Sequence, residues 1–281
     1  MNKKITFIMT IVAVVTHLVF ADSFSRDDYK FEYHMSFDEI KDMFKGNSTT
    51  NNSSINWNSQ EDESADKKSE ISNSKQDTSV NPEEIRPLAE SGNPFYQFQL
   101  GRCYDRGEGV EQDYEQAIYW YTLSAEQGNH KAQNNLAYLY VNGNDFGIEQ
   151  DFQKALYWLE KAAASGDSYA CLNVGDMYRL GLGVEQNYKK TIEYYKKAEK
   201  LGAKEASDFI GHMYQYGFGV SQSDKQAFKY FKKSAELGYP PAQYDVGLAY
   251  RDGIGVKQNS AEAEKWFETA KKNGFVIPQS E

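Results

Sequence analysis

The chain of 281 residues contains little cysteine, little histidine and less positive than negative charge. Lysine and arginine number 31, against 41 aspartate and glutamate residues, which gives a formal net charge of −10. Because nucleic-acid binding needs a basic stripe to neutralise phosphates, this balance disfavours a nucleic-acid partner. Catalysis needs a nucleophile, an acid or base, or metal ligands gathered together, and the sequence shows no such set. We therefore expect no enzyme activity and no cofactor.

Long hydrophobic runs are absent except at the N-terminus. Two lysines precede an apolar run over residues 5–20, and the small residue Ala21 follows it. This order predicts a signal peptide over residues 1–21, cleaved after Ala21, and hence a periplasmic or secreted protein. The alternative is an uncleaved membrane anchor, but the run is short for a span and His17 interrupts it. We therefore expect no stable membrane span after cleavage.

Two segments of different composition follow the predicted signal peptide. Residues 47–81 are dominated by Asn, Ser, Thr, Asp, Glu and Lys, and predict a disordered linker. Residues 22–46 form a tail rich in aromatic residues. Three of its apolar residues would share one face of a short amphipathic helix: Phe37, Ile40 and Phe44. Such a helix binds a partner, docks on its own domain through residues 27–46, or has no role, and the sequence leaves these alternatives open.

The rest of the chain is built from a unit of 36 residues that repeats five times, with two extra residues in the second copy. A period of this length is typical of a solenoid of stacked units, and insertions in such proteins fall in loops. A helical cap over residues 82–91 precedes the repeats, and a tail over residues 274–281 follows them. With each copy beginning at a glycine, the repeats span residues 92–127, 128–165, 166–201, 202–237 and 238–273.

Each copy divides into two helix-length stretches separated by a glycine turn. Apolar and small residues recur at helical spacing in both stretches. The residue before each second stretch has a side chain that accepts a hydrogen bond from the first helical turn. These five predicted N-caps are Asp113, Asp151, Asn187, Ser223 and Asn259. The pattern predicts an all-α fold of about five two-helix repeats.

The repeated residues resemble those of the Sel1-like repeat (SLR) family, a relative of the tetratricopeptide repeat (TPR). In the first copy the motif consists of Leu100-Gly101, Tyr104, Gly107-x-Gly109-Val110, Ala117 and Trp120-Tyr121. Departures are small, since Ala137 replaces a glycine, Thr191 an alanine and Tyr96 a small residue. The resemblance covers residues 92–274. It implies a right-handed α-solenoid, a superhelix that binds proteins or peptides on its concave side.

The last repeat has a polar signature of its own. One helical column holds apolar residues in four copies and Glu264 in the fifth, and a second column ends in Lys271. Because the outer surface of a last repeat meets water, we interpret the fifth copy as a C-terminal cap.

The first repeat is expected to carry a helical cap on its other side. Asn81 and Pro82 have the residue types that begin a helix. Ile85 and Leu88 are expected to cover the first repeat, and Pro87 is expected to limit the helix to about one or two turns.

Isolated chemical motifs have structural explanations. Cys103 shares a column with apolar residues and is expected in the core, and Cys171 lies two repeats away, too far for a disulfide. Some relatives in the family are linked to penicillin recognition, but the Ser-x-x-Lys motifs at residues 64–67 and 72–75 lie in the predicted linker. No metal site is expected, because none of the four histidines has metal-ligand spacing: His17, His34, His130 and His212.

The copies disagree at helix positions opposite the predicted buried face, which the resemblance places on the concave side. Aromatic residues and arginine stand there beside aliphatic ones, the composition of protein-binding hot spots. A merely tolerant surface is the alternative. The candidate partner-binding residues are Phe95, Phe98, Arg102, Tyr138, Val141, Leu172, Asp176, Arg179, His212, Tyr216, Tyr244, Leu248 and Arg251.

These observations predict an exported protein-interaction scaffold that binds a protein or peptide partner. One specific form, which the resemblance implies, is an immunity or inhibitor protein that blocks a toxic effector. An alternative of a different class is a penicillin-recognising hydrolase. In a third alternative, the aromatic tail occupies the protein's own groove.

Overall fold

The computed structural model describes residues 81–276, and its regular elements there are all helices. This confirms the all-α solenoid class; the predicted signal peptide, tail and linker lie outside the described residues. A 3-10 helix, Gly143–Phe146, lies between the fourth and fifth α-helices. The α-helices are α1 Pro82–Glu90, α2 Pro94–Arg106, α3 Tyr114–Glu126, α4 His130–Val141, α5 Phe152–Ala164, α6 Ser168–Leu180, α7 Tyr188–Lys200, α8 Lys204–Tyr216, α9 Asp224–Glu236, α10 Pro240–Asp252 and α11 Ser260–Lys272.

The described residues divide into two compact units. The N-terminal unit comprises residues 81–177 and 182–185, and contains α1 to α5 and most of α6. The C-terminal unit comprises residues 178–181 and 186–276, and contains α7 to α11. In the N-terminal unit the consecutive helices from α1 to α5 pack together, and in the C-terminal unit those from α7 to α11 do so. Among the helices of residues 81–276, none combines the length and the apolarity needed to cross a membrane.

Side-chain caps begin the second helix of every repeat. Asp113 accepts a hydrogen bond from the Gln116 N–H at 3.0 Å, and Ser223 accepts one from the Gln226 N–H at 3.3 Å. These bonds satisfy N–H groups that have no partner within the helix. All five predicted N-caps are confirmed, since the remaining three make equivalent bonds: Asp151, Asn187 and Asn259.

A glycine in the first helix of a repeat allows an aromatic ring of the second helix to lie against its backbone. A Cβ atom on Gly211 would stand 2.5 Å from the Phe231 ring, and the first and fifth repeats show the same contact. Ala137 replaces this glycine in the second repeat, where the aromatic position holds the smaller Leu159. The departure from the motif is therefore compensated within the same repeat.

A glutamine side chain joins neighbouring repeats. Gln133 Nε2 donates to the Ala125 carbonyl at 3.0 Å, and Gln243 Nε2 donates to the Ala235 carbonyl at 3.1 Å. Both carbonyls belong to the last turn of the preceding repeat's second helix, where intrahelical donors run out. Gln97 makes the equivalent bond to α1. Hydrogen bonding thus continues across these junctions through a buried side chain.

Helix α1 covers the first repeat with one of the two residues expected. Ile85 and Ala89 are buried with Cys103 in one cluster, whereas Leu88 is exposed. The core position of Cys103 is confirmed, and burial raises the pKa of its thiol. The helix has 9 residues and continues past Pro87, so the expected length of one or two turns is too short. Pro87 has no N–H and so removes one hydrogen bond of the helix, but the following turn is packed through the buried Ala89.

Candidate interaction surfaces and an ionisable cluster

The predicted binding residues of the N-terminal unit that remain accessible lie on α2 and α4. Phe95 is 53% exposed. Arg102 pairs with Glu108 at 3.6 Å and keeps part of its side chain in solvent. Tyr138 is half-buried, and its ring centroid lies 5.7 Å from that of Phe146, in the 3-10 helix that holds the extra residues of the second repeat. We name Phe95, Arg102 and Tyr138 the N-terminal surface.

Four predicted binding residues of the C-terminal unit also remain accessible: Tyr216 on α8, and Tyr244, Leu248 and Arg251 on α10. Residues three and four positions apart are neighbours on a helix, so the three on α10 form one strip. The Arg251 guanidinium donates to both carboxylate oxygens of Asp252 at 2.7 and 2.8 Å. We name Tyr216, Tyr244, Leu248 and Arg251 the C-terminal surface.

The remaining six of the thirteen candidate residues are buried, so their expected accessibility is wrong. The prediction assumes that a first helix buries a single stripe, whereas α8 buries eight of its thirteen residues. Helix α6 is buried without interruption over residues 170–179. Helices α6 and α8 are therefore enclosed around most of their circumference, and truncating the six side chains would disturb packing. They are Phe98, Val141, Leu172, Asp176, Arg179 and His212.

Three ionisable side chains of the C-terminal unit converge between α8 and α10. Asp208 and His212 lie one turn apart on α8, and Asp245 lies on α10. The Nε2 atom of His212 is 3.6 Å from a carboxylate oxygen of Asp208 and 3.5 Å from one of Asp245. One donor atom from each residue lies within 4.8 Å of the other two. We name these three residues the Asp-His-Asp cluster.

Neighbouring side chains orient the imidazole ring of His212. Its Nδ1 lies 3.1 Å from Gln215 Oε1, and because an amide oxygen only accepts, Nδ1 carries the proton of this bond. The Tyr216 ring is stacked on the imidazole with centroids 6.1 Å apart, and the Phe231 ring meets it edge-on at 4.8 Å. These contacts leave Nε2 directed at the two carboxylates.

Burial and charge act against each other in this cluster. Burial lowers the pKa of His212, but the carboxylates of Asp208 and Asp245 outweigh it and raise that pKa to about 9. Burial also raises the pKa of Asp245 above its usual range, although the charge of His212 opposes the shift. Two carboxylates therefore share one imidazole as their source of positive charge.

The two-helix repeats match a known family. The family model described as Sel1 repeat matches residues 94–129, 130–167, 168–202, 205–239 and 240–275, which is more than half of the chain. The chain belongs to the Sel1 repeat family. The matched Sel1 repeats begin two or three residues after the glycine-based boundaries, because the starting point of a repeat is a convention.

Similar Sel1 proteins include bacterial and viral examples. A Sel1 repeat protein from Oxalobacter formigenes is 31% identical with a TM-score of 0.60, and the match covers 69% of this chain and 83% of that one. The protective antigen c5321 of uropathogenic Escherichia coli, which displays an SLR fold, is 30% identical with a TM-score of 0.56, covering 69% of this chain and 49% of its own. The sel1-like repeat-containing protein L21 of Acanthamoeba polyphaga mimivirus is 42% identical over 64 residues, 21% of this chain and 12% of its own. This chain thus matches only a small part of the viral protein.

The Asp-His-Asp cluster is absent from the sequence-based expectations for these Sel1 repeats. The expectation that no histidine has metal-ligand spacing overlooks Asp208, which stands four residues before His212 on the same helix face. That spacing is visible in the sequence. The expected absence of a metal site stays a prediction. The third member, Asp245, belongs to the next repeat and stands one position after the column of Asp208. Only the approach of α10 to α8 brings it within reach of His212.

Proposed function

We propose that this Sel1 repeat protein is an exported, non-enzymatic scaffold that binds a protein or peptide partner through its C-terminal surface. Sel1 repeats form a protein-interaction scaffold, and the match covers all five repeats. The observation that carries the proposal is that aromatic, aliphatic and arginine side chains stay accessible at positions where the repeats differ. By resemblance to the family, we infer that these positions lie on the concave side.

The C-terminal surface has the composition and the preorganisation of a binding hot spot. Tyrosine and arginine are enriched among residues whose truncation costs the most binding energy. The Tyr244 ring is stacked on Phe275 with centroids 4.7 Å apart and contacts Phe267 at 5.4 Å, while Tyr216 is stacked on His212. Side chains that are oriented before binding lose less conformational entropy when a partner arrives.

Two kinds of partner would fit the same surface. In trans, it is a separate protein or peptide, and an inhibited toxic effector is one such case. In cis, it is the aromatic segment of residues 27–46. The chain without residues 22–80 separates these forms, because removing a segment that occupies the surface strengthens binding of an external partner. Unchanged affinity after this deletion contradicts docking in cis.

Affinity capture with the exported chain, followed by calorimetry on the captured partner, tests the surface. We expect Tyr216→Ala, Tyr244→Ala and Arg251→Ala each to cost about 2 kcal/mol of binding energy, roughly 30-fold in affinity. The matched controls are Tyr119→Ala and Tyr157→Ala, which remove tyrosines that are 54% and 52% exposed on second helices. Equal affinities for all five variants contradict the proposed surface.

Export is proposed from the N-terminal sequence. Cleavage after Ala21 gives a mature chain that begins at Asp22. Mass spectrometry of the protein recovered from the periplasm and from the medium measures the mature N-terminus. Recovery of the chain only in the cell membrane, with Met1 retained, supports the uncleaved anchor instead.

A further inference from the structure

The Asp-His-Asp cluster presents donor atoms of the kinds that bind a first-row divalent metal ion. His212 offers an imidazole nitrogen, and Asp208 and Asp245 each offer a carboxylate oxygen. Zinc accepts mixed nitrogen and oxygen ligands, whereas calcium and magnesium take oxygen ligands. All three side chains lie on α8 and α10 of the C-terminal unit, so one unit supplies the whole set.

The two contacts of His212 have the spacing of ligand atoms around a metal ion. A hydrogen bond from an imidazole N–H to a carboxylate spans about 2.7–3.2 Å. Both contacts of His212 Nε2 are longer, at 3.6 and 3.5 Å. Zinc bonds of about 2.0–2.2 Å at tetrahedral angles separate neighbouring ligand atoms by about 3.3–3.6 Å. The two contacts therefore have the spacing of two ligand pairs around one zinc ion.

The hydrogen bond at the other ring nitrogen prepares Nε2 for a metal ion. Because the Nδ1–H of His212 donates to Gln215 Oε1, Nε2 of the neutral ring carries the lone pair. Metal-binding histidines almost always donate their second ring N–H to an oxygen in this way, which fixes the tautomer and the ring orientation.

A buried oxygen is a second, independent indication. Asp208 is 3% exposed, and its Oδ1 has no hydrogen-bond partner within residues 81–276. Burying a carboxylate oxygen without a partner is costly. A divalent cation that displaces the proton from Nε2 would balance the two negative charges of Asp208 and Asp245.

We propose that Asp208, His212 and Asp245 form a zinc-binding site that links the fourth Sel1 repeat to the fifth. Nε2 and one oxygen from each aspartate supply three ligands. The Asp245 side chain is 19% exposed, so solvent reaches the ion from that side. A water molecule or a group from a bound partner completes the tetrahedron. This inference goes beyond the proposed function and does not depend on it.

Calorimetric titration of the metal-free full chain with zinc chloride tests the site. We expect one high-affinity site that binds zinc at least about 100-fold more weakly in His212→Gln and in Asp245→Asn, since loss of an outer-shell partner alone costs about 10–100-fold. The matched control is His130→Gln. His130 also contacts a carboxylate, that of Asp167 at 2.9 Å, and this variant should keep the site. Gln215→Ala leaves the three ligands in place and should weaken zinc binding about 10-fold.

Thermal melts with chelator, zinc, calcium or magnesium supply the second readout. Zinc should raise the melting temperature of the wild-type chain and of His130→Gln, because a ligand that binds the folded state stabilises it. Calcium and magnesium should not, and neither should zinc with His212→Gln or Asp245→Asn. Circular dichroism establishes whether each variant folds. If a variant of one of the three ligands does not fold, Gln215→Ala still tests the site. The proposal is overturned if the wild type has no zinc site or if the ligand or Gln215 variants keep full affinity. It is also overturned if His130→Gln loses the site or if calcium stabilises the chain equally.

Discussion

The fourth repeat, over residues 202–237, and the fifth, over residues 238–273, share one plan but differ in how their second helices are covered. Helix α9 buries Ala227, Phe231, Ser234 and Ala235, whereas α11 buries only two alanines. Phe228 on α9 is half-buried, while Glu264 in the same column is exposed, as the polar column predicts. The difference shows that burial of a second helix depends on the repeat that follows it.

The fifth repeat compensates with local contacts. Phe275, just beyond α11, is buried and stacked on Tyr244. Asn273 Nδ2 donates to Gln243 Oε1 at 2.9 Å. In the first repeat, Gln127 makes the same bond at the same register. A repeat thus keeps its internal contacts at the end of the array and loses only those that a following repeat supplies.

The largest expected difference between the two repeats lies at the aromatic position of the second helix. We expect Phe231→Ala to lower the free energy of unfolding by about 3–5 kcal/mol, because a buried ring leaves a cavity. Phe267→Ala should cost less than half of this, since that ring is only half-buried. Urea unfolding followed by circular dichroism measures both. Equal costs would mean that the fifth repeat is as well packed as the fourth, which contradicts the comparison.

The column of Phe228 and Glu264 tests the same difference through charge. Phe228 packs on the cluster that contains Val246, and its ring meets Tyr250 edge-on at 5.3 Å. We expect Phe228→Glu to cost about 2–3 kcal/mol, because a carboxylate then enters an apolar junction. Glu264→Ala should change stability by less than about 0.5 kcal/mol. Unfolding of the Phe228 variant should also become less cooperative, since adjacent repeats couple through their interfaces. Similar melts for the two variants would contradict the assignment of a C-terminal cap.

The glycine of the first helix gives a smaller contrast. We expect Gly211→Ala to cost about 1–3 kcal/mol, because its Cβ would stand 2.5 Å from the Phe231 ring, which is buried and has little room to move. Gly247→Ala makes an equivalent contact with Phe267 but should cost less, since that ring has solvent on one side. Chemical denaturation of both variants provides the measurement. A higher cost for Gly247→Ala would show that ring mobility does not decide the effect.

Contacts within a repeat were predictable from sequence, and so was the exposed polar column at Glu264, but the burial of the first helices was not. The cap at Ser223 needs only residues within one helical turn, and the Gly211 and Phe231 columns recur along the chain, so a single sequence is informative. Leu172 on α6 is fully buried, although its helical position lies opposite the predicted buried face. No pattern within one repeat contains that information.

The same limit explains the outcome for the candidate sites. Tyr244 and Arg251 lie on a face that stays accessible, but helical spacing alone does not separate that face from the one that buries His212. The Asp-His-Asp cluster forms only because Asp245 of the fifth repeat lies close to His212 of the fourth. The relative rotation of α8 and α10 decides this contact, and a repeat period does not specify it.

The smallest expected effect concerns the N-caps of the second helices, where the fifth repeat should lose at least as much stability as the fourth. Ser223 accepts one backbone N–H at 3.3 Å, whereas Asn259 accepts two, from Ala261 and Glu262, at 3.1 and 3.2 Å. Loss of an N-cap costs about 1 kcal/mol, so Asn259→Ala should cost at least as much as Ser223→Ala even though its helix is less buried. Asn259→Ser keeps an acceptor and should remain within a few tenths of a kcal/mol of the wild type. Amide hydrogen exchange in the first turns of α9 and α11, beside urea unfolding, measures the two caps separately. A negligible cost for Asn259→Ala would mean that α11 already frays at its start, and that the end of the array loses internal contacts as well as those from a following repeat.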